Sequence, residues 1–117
     1  MSMDLKQCEL KDLAKRYFSK KYLYQELEQK VQGKSGQKWS LTGVIDANGK
    51  KFAVLIKDWD RPCGINQVRQ IEKICKDLFY DGAVLISNQY SASAVNLGEK
   101  IGVQIMTRFE LEKKIRG

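Results

Sequence analysis

Apolar residues recur along the chain with two different periods, and each period predicts a different element. The helical period, in which one face is apolar, occurs over residues 4–21 and 65–78. Shorter apolar runs bounded by polar residues indicate strands, which we expect over residues 24–32, 38–46 and 51–57. The first half of the chain is therefore predicted to hold one helix followed by three strands.

The clearest single feature is a predicted hairpin in the middle of the chain. Asn48-Gly49 separates its two arms, and this dipeptide is the strongest short signal for a tight turn between strands. The second arm, residues 52–56, is continuously apolar and ends at Lys57. A continuous apolar run is typical of a strand covered on both faces, so we expect this arm at the centre of a sheet.

Strands and helices alternate in the second half, with capping signals at the helix ends. Two short apolar runs predict strands, and they cover residues 83–86 and 103–106. Ser91 and Gly102 are expected to bound one helix, and Thr107 with Glu110 forms a capping box that opens the last one. The predicted order, α-β-β-β-α-β-α-β-α, implies an α/β fold in which helices flank a mixed central sheet.

Length and composition bound the class of protein. The 117 residues are 30% charged and 43% hydrophobic, so we interpret residues 1–117 as a single globular domain. The chain has no histidine, which excludes His-based acid–base catalysis and His metal ligation. The three cysteines form no C-x-x-C pair and favour reduced thiols.

No apolar run approaches the ~18 residues of a membrane span, and the amino terminus lacks a signal-peptide pattern. We therefore expect a cytoplasmic protein with no membrane partner.

The charge is positive and unevenly placed. The formal net charge is +7, and six of these seven surplus charges fall in residues 1–57. An uneven basic surplus often marks a surface for nucleic acid, because Lys and Arg displace counterions from phosphates. The alternative is a charge that serves solubility alone.

Several short motifs occur in an order that a known nuclease group shares. They are Gly33-Lys34-Ser35-Gly36, Lys57 at the hairpin's end, Val68-Arg69-Gln70, residues 82–88, Ser91-x-Ser93-Ala94 and Ile101-Gly102-Val103. Over residues 10–112 the sequence resembles the Mrr-type branch of the restriction-endonuclease-like (PD-(D/E)XK) superfamily, with its Holliday-junction-resolvase relatives. The resemblance implies a restriction-endonuclease-like core.

The resemblance also implies where catalysis would take place. In such enzymes an Asp on the first hairpin arm and a Glu or Gln two residues before the Lys hold a divalent ion for phosphodiester hydrolysis. By this correspondence Lys57 is the retained catalytic position, whereas Thr42 and Leu55 stand at the two ligand positions. Leucine has no donor atom, and threonine is a weak neutral ligand. Glu72 in the following helix is the candidate for a migrated acid.

The residues expected to contact nucleic acid surround this position. They are Lys34, Ser35 and Lys38 before the hairpin, and Arg61, Asn66, Gln67 and Arg69 around the start of the second long helix. Such side chains can bind phosphates or base edges, and for Asn66 helix capping is an alternative role. Trp39 and Trp59 flank the site, either as packing residues or as surfaces on which an unpaired base stacks.

The sequence leads to one preferred hypothesis and two alternatives. The preferred hypothesis is a nuclease-fold protein that binds DNA but has lost metal-dependent catalysis, with no cofactor expected. The first alternative is an active endonuclease or resolvase with a rearranged site, which would need Mg²⁺ or Mn²⁺. The second is a structural or scaffold subunit of a nucleic-acid-processing complex. A homodimer through the apolar edge at residues 101–106 is a further alternative.

Overall fold

A five-stranded mixed sheet and a separate two-stranded ribbon organise the computed structural model, which describes residues 8–117. In chain order the strands are β1 (Leu23–Glu26), β2 (Val31–Gln32), β3 (Lys38–Trp39), β4 (Gly43–Ala47), β5 (Lys50–Lys57), β6 (Gly82–Ser87) and β7 (Val103–Thr107). The helices are α1 (Leu10–Lys21), α2 (Ile65–Asp77), α3 (Ala92–Ile101) and α4 (Arg108–Arg116). The sheet has the order β1-β4-β5-β6-β7, and β2 pairs with β3 in the ribbon.

Strand β5 lies at the centre of the sheet and is covered on both faces. It pairs antiparallel with β4 and parallel with β6. Its Val54 packs in a core cluster with α1 and α4, and its Leu55 packs in a second cluster with α2 and α3. Successive residues of a strand point to opposite faces, so a strand buried on both faces is apolar at successive positions. The predicted central position of the second hairpin arm is confirmed.

The turn and cap signals lie where the sequence placed them. Asn48 and Gly49 have φ angles of 55° and 85°, the left-handed geometry that a tight hairpin turn requires. The Ser91 hydroxyl accepts a hydrogen bond from the Ala94 amide at 3.1 Å, and Gly102 ends α3 with φ of 78°. These local signals therefore fix the ends of β4, β5 and α3.

Two of the predicted strands are wrong in extent, because the chain leaves the sheet between β1 and β4. The segment predicted as one strand over 24–32 divides into β1 and β2, and the segment over 38–46 divides into β3 and β4. Val31 pairs with Trp39, so β2 and β3 satisfy each other's backbone groups and need no partner in the sheet. Gly36, with φ of 90°, helps to close the ribbon. The five sheet strands keep the predicted order, and the α/β class is confirmed.

The first helix is shorter within the described range than the sequence predicted. Helix α1 begins at Leu10, because Glu9 has an extended backbone and acts as the N-cap residue. The first four residues of the predicted helix, 4–7, lie outside the described residues. None of the helices within residues 8–117 combines the length and the apolar composition needed to cross a membrane.

Thr107→Ala is expected to destabilise the fold by about 1 kcal/mol, because it removes the side-chain cap of α4. The Thr107 hydroxyl accepts a hydrogen bond from the Glu110 amide at 3.1 Å, and the Glu110 carboxylate accepts one from the Thr107 amide at 3.2 Å. Urea unfolding followed by circular dichroism measures the loss. Thr107→Ser keeps the capping oxygen and is the control, so equal stabilities of the two variants would contradict this role.

Candidate functional site

A groove opens between the β2–β3 ribbon and helix α2, with the end of β5 at its base. Its volume is about 430 Å³. The lining side chains that bear on its chemistry are Lys38, Ser40, Thr42, Leu55, Lys57 and Gln70, and we call this cavity the ribbon groove. Within residues 8–117, the lining contains two lysines and no carboxylate. The groove is therefore cationic and suited to an anionic ligand.

Asp77, in the last turn of α2, holds the ribbon against the helix. Its carboxylate accepts hydrogen bonds from the Ser35 amide at 2.9 Å, the Ser35 hydroxyl at 2.7 Å and the Trp39 indole N–H at 2.7 Å. The Trp39 bond, followed by the Ser35 bonds, lowers the pKa of Asp77 below its usual value of 3.8. A Cβ at Gly33 would overlap this carboxylate, so the close approach requires glycine there. Asp77 therefore positions one wall of the groove.

The three residues predicted to bind nucleic acid before the hairpin have different surroundings. Ser35 is engaged by Asp77, and the Lys34 ammonium lies 4.6 Å from the centre of the exposed Phe79 ring. Ser35 therefore contacts the last turn of α2, and Lys34 contacts the loop that follows this helix. Lys38, in contrast, is exposed and lines the ribbon groove. The structure thus brings Lys38, but not Lys34 or Ser35, together with Lys57.

Thr42 and Leu55, the positions at which the sequence resemblance implies metal ligands, both line the groove. The Thr42 hydroxyl accepts a hydrogen bond from the Ile56 amide at 3.0 Å, which occupies part of its acceptor capacity. Leu55 is 6% exposed and packs in the core cluster beneath α2. A hard divalent ion prefers several oxygen ligands, and this pair supplies one neutral oxygen. The residues at these positions therefore do not fit a divalent ion.

The acids near this position differ from the one expected. Glu72 does not line the groove, and its carboxylate pairs with Lys76 at 3.7 Å. The carboxylates that share a cavity with Thr42 are Glu9 and Asp58, which border a space of about 170 Å³. Among residues 8–117 no three His, Cys, Asp or Glu side chains are grouped so as to hold a metal ion. Sequence spacing gave no signal for Glu9, which the folding of α1 brings to this place.

The residues predicted around the start of α2 divide between capping and exposure. The Gln67 side chain accepts a hydrogen bond from the Gly64 amide at 2.9 Å, and Gly64 is the N-cap residue. The alternative role of Asn66 as the cap is therefore wrong. Helix α2 begins at Ile65, so Asn66 lies inside its first turn. Asn66 and Arg69 are exposed. The α2 side chain that lines the groove is Gln70, which belongs to the Val68-Arg69-Gln70 motif but was not predicted as a nucleic-acid contact.

Arg61 lies in the loop between β5 and α2, beside an aromatic ring. Its guanidinium carbon is 4.2 Å from the centre of the Trp59 ring, and the Lys57 ammonium is 5.4 Å from the same centre. Lys57 thus belongs both to the groove and to this cation–aromatic cluster. A basic and aromatic cluster therefore adjoins the groove at Lys57.

Comparison with known proteins identifies the fold. No protein-family model and no curated protein matches the sequence. The crystal structure of AF1548, a protein of unknown function, matches 83% of this chain and 55% of its own, with a TM-score of 0.72 and 14% identity. EndoMS in complex with double-stranded DNA matches 91% of this chain and 48% of its own, with a TM-score of 0.59 and 17% identity. The chain therefore spans about half the length of each.

The chain has a restriction-endonuclease-like fold. In this restriction-endonuclease-like core, the β4–β5 hairpin leads into α2 and then into the parallel strands β6 and β7. Lys57 stands at the end of β5, where α2 and the ribbon enclose the groove. The fold expectation from the sequence is confirmed, whereas the roles of individual site residues stay predictions.

Acidification is expected to release the ribbon from α2 while the rest of the fold persists, because the Asp77 carboxylate then becomes protonated. A folded-state pKa below the usual 3.8 means that this contribution is present above about pH 4 and is lost as the pH falls through the folded-state pKa. Hydrogen exchange of the Trp39 indole N–H, followed by NMR, measures the release. Asp77→Asn does not titrate, so an identical pH profile in this variant would contradict the role of Asp77.

Proposed function

We propose that this restriction-endonuclease-like domain binds DNA in the ribbon groove and does not cut it. The observation that carries the proposal is the combination of Lys38 and Lys57 with Thr42 and Leu55 in one groove. The two lysines can neutralise phosphates, and the other two residues stand where the family has acidic ligands. Binding and catalysis are therefore separated in this site.

The phosphate chemistry follows from the two lysines. Each lysine that neutralises a phosphate releases a condensed counterion, which favours binding at low salt. Gln70 and Ser40 add uncharged groups that can form hydrogen bonds with phosphate oxygens. The similarity in fold to EndoMS, whose structure contains double-stranded DNA, supports DNA as the ligand.

The absence of cutting follows from the ligand positions. Phosphodiester hydrolysis by this class of site needs a divalent ion to activate water and to offset developing charge. Leu55 offers no donor atom, and its side chain is held in the core by α2. Lys57 can still bind a phosphate, but it lacks the ion beside which it would stabilise a transition state.

Lys38→Ala and Lys57→Ala are each expected to weaken DNA binding and to lower the salt dependence. In gel shifts over a range of salt concentrations, each variant should reduce the slope of log K against log salt by about one. Lys114→Ala is the matched control, because it removes an exposed lysine from α4, on the opposite face of the sheet. A slope that changes as much in Lys114→Ala as in the groove variants would count against the groove.

Restoring both acids should restore metal binding. Thr42→Asp with Leu55→Glu places two carboxylates beside Lys57, and we expect calorimetry to detect Mn²⁺ binding by this double variant but not by the wild type. Thr42→Asn with Leu55→Gln has the same size without charge and is the control. Equal Mn²⁺ affinity in the wild type and the double variant, or cleavage of plasmid DNA by the wild type, would contradict the proposal.

One observation favours a second candidate, an endonuclease with a rearranged site. Glu9 and Asp58 share a small cavity with Thr42. Asp58 directly follows Lys57 in the sequence. The Asp58 carboxylate, however, already accepts hydrogen bonds from the Asn88 amide group at 3.0 Å and from the Leu10 backbone amide at 3.4 Å. Wild-type cleavage that disappears in Asp58→Asn would identify this second candidate.

A further inference from the structure

We infer that Trp59 forms a stacking surface for an unpaired base at the end of the ribbon groove, so that the site takes single-stranded DNA in preference to duplex. This inference rests on the proposed function and specifies the form of DNA that the groove receives. It assigns a role to a side chain that phosphate binding alone leaves unused.

The ring of Trp59 is connected to the groove through Lys57. Lys57 lines the groove and places its ammonium 5.4 Å from the centre of the Trp59 ring, and Arg61 places its guanidinium 4.2 Å from the same centre. The ring itself is half-buried in the loop between β5 and α2. Both cations lie over the ring, so a base that stacks on Trp59 takes their place there while its flanking phosphates bind the displaced charges.

The loop that carries Trp59 is fixed by the segment after β6. The Asn88 side chain donates a hydrogen bond to the Trp59 carbonyl at 3.0 Å, and the Gln89 side chain donates one to the Asp60 carbonyl at 2.7 Å. The indole N–H of Trp59 donates to the buried Cys63 sulfur at 3.2 Å, which sets the plane of the ring. A ring ordered before binding reduces the entropy that a ligand has to offset.

An unpaired base is the partner that such a surface selects. Bases inside a duplex already stack on their neighbours and present only their edges, whereas a single strand can present a base face. Trp39 differs from Trp59, because it is 8% exposed and donates its indole N–H to Asp77. Trp39 is therefore held by packing at the wall of the groove, and Trp59 is the more exposed of the two rings.

Fluorescence titration with oligothymidylate and with a duplex of the same length tests the inference. In Trp39→Phe protein, which keeps the two Ser35 hydrogen bonds to Asp77 and in which emission reports Trp59 alone, we expect single-stranded DNA to quench the emission more strongly than duplex does. In Trp59→Phe protein, emission reports Trp39, which lines the groove, so the two forms of DNA should change it to a similar extent. This measurement does not require a variant without an aromatic ring at position 59.

Affinities of a second pair of variants complete the test. Trp59→Leu is expected to lower affinity for the oligothymidylate by about five- to 150-fold, the range for loss of one base–aromatic stack, and to lower duplex affinity less. Phe109→Leu is the matched control, because Phe109 is an exposed ring on α4 with the Lys113 ammonium 5.7 Å from its centre. We expect Phe109→Leu to bind as the wild type does.

The outcomes separate this inference from the proposed function. Stronger quenching by single strands, together with a selective loss in Trp59→Leu, supports the inference. Equal affinity for both forms of DNA, unaffected by Trp59→Leu, overturns it and leaves DNA binding by the groove intact. No binding of either form at low salt overturns the proposed function and the inference together.

Discussion

The burial of β5 on both faces is the constraint on which the rest of the structure depends. Helices α1 and α4 cover one face of this strand, and α2 and α3 cover the other. Every side chain from 53 to 55 is consequently a core residue, and Lys57 is the position at which the strand reaches the groove. The position two residues before this lysine is Leu55, which packs beneath α2 and also lines the groove.

Local signals in the sequence predicted most of the fold, because the elements concerned are specified by nearby residues. The Asn48-Gly49 turn and the capping box at Thr107 depend on contacts within four residues, and both occur as expected. The ribbon was missed because its two strands are only two residues long and pair with each other. Such short strands carry no apolar alternation that would distinguish them from extensions of β1 and β4.

The candidate site was predictable in its centre and not at its margins. Lys57, Thr42 and Leu55 line one groove, as the family resemblance implied from their places in the chain. Asp77 holds the ribbon through Trp39, which is 38 residues away in sequence. Glu9 borders the small cavity beside Thr42 and Asp58 because the fold places the start of α1 there. Contacts of this kind depend on the tertiary fold, so the spacing of residues along the chain does not predict them. The basic surplus of the sequence indicated an anionic ligand without showing which lysines share a surface.

The packing of Leu55 has a consequence for how this domain can change over evolutionary time. A single replacement of Leu55 by an acid would place a carboxylate against the apolar side chains beneath α2, where desolvation disfavours the charged form. A single replacement of Thr42 by an acid would not create a metal site either, because Leu55 would still lack an atom that can bind the ion. Each first step toward catalysis therefore brings a cost or no benefit, and only the two steps together form a ligand pair. Thr42 and Leu55 are therefore coupled positions, because a pair of metal ligands forms only when both change.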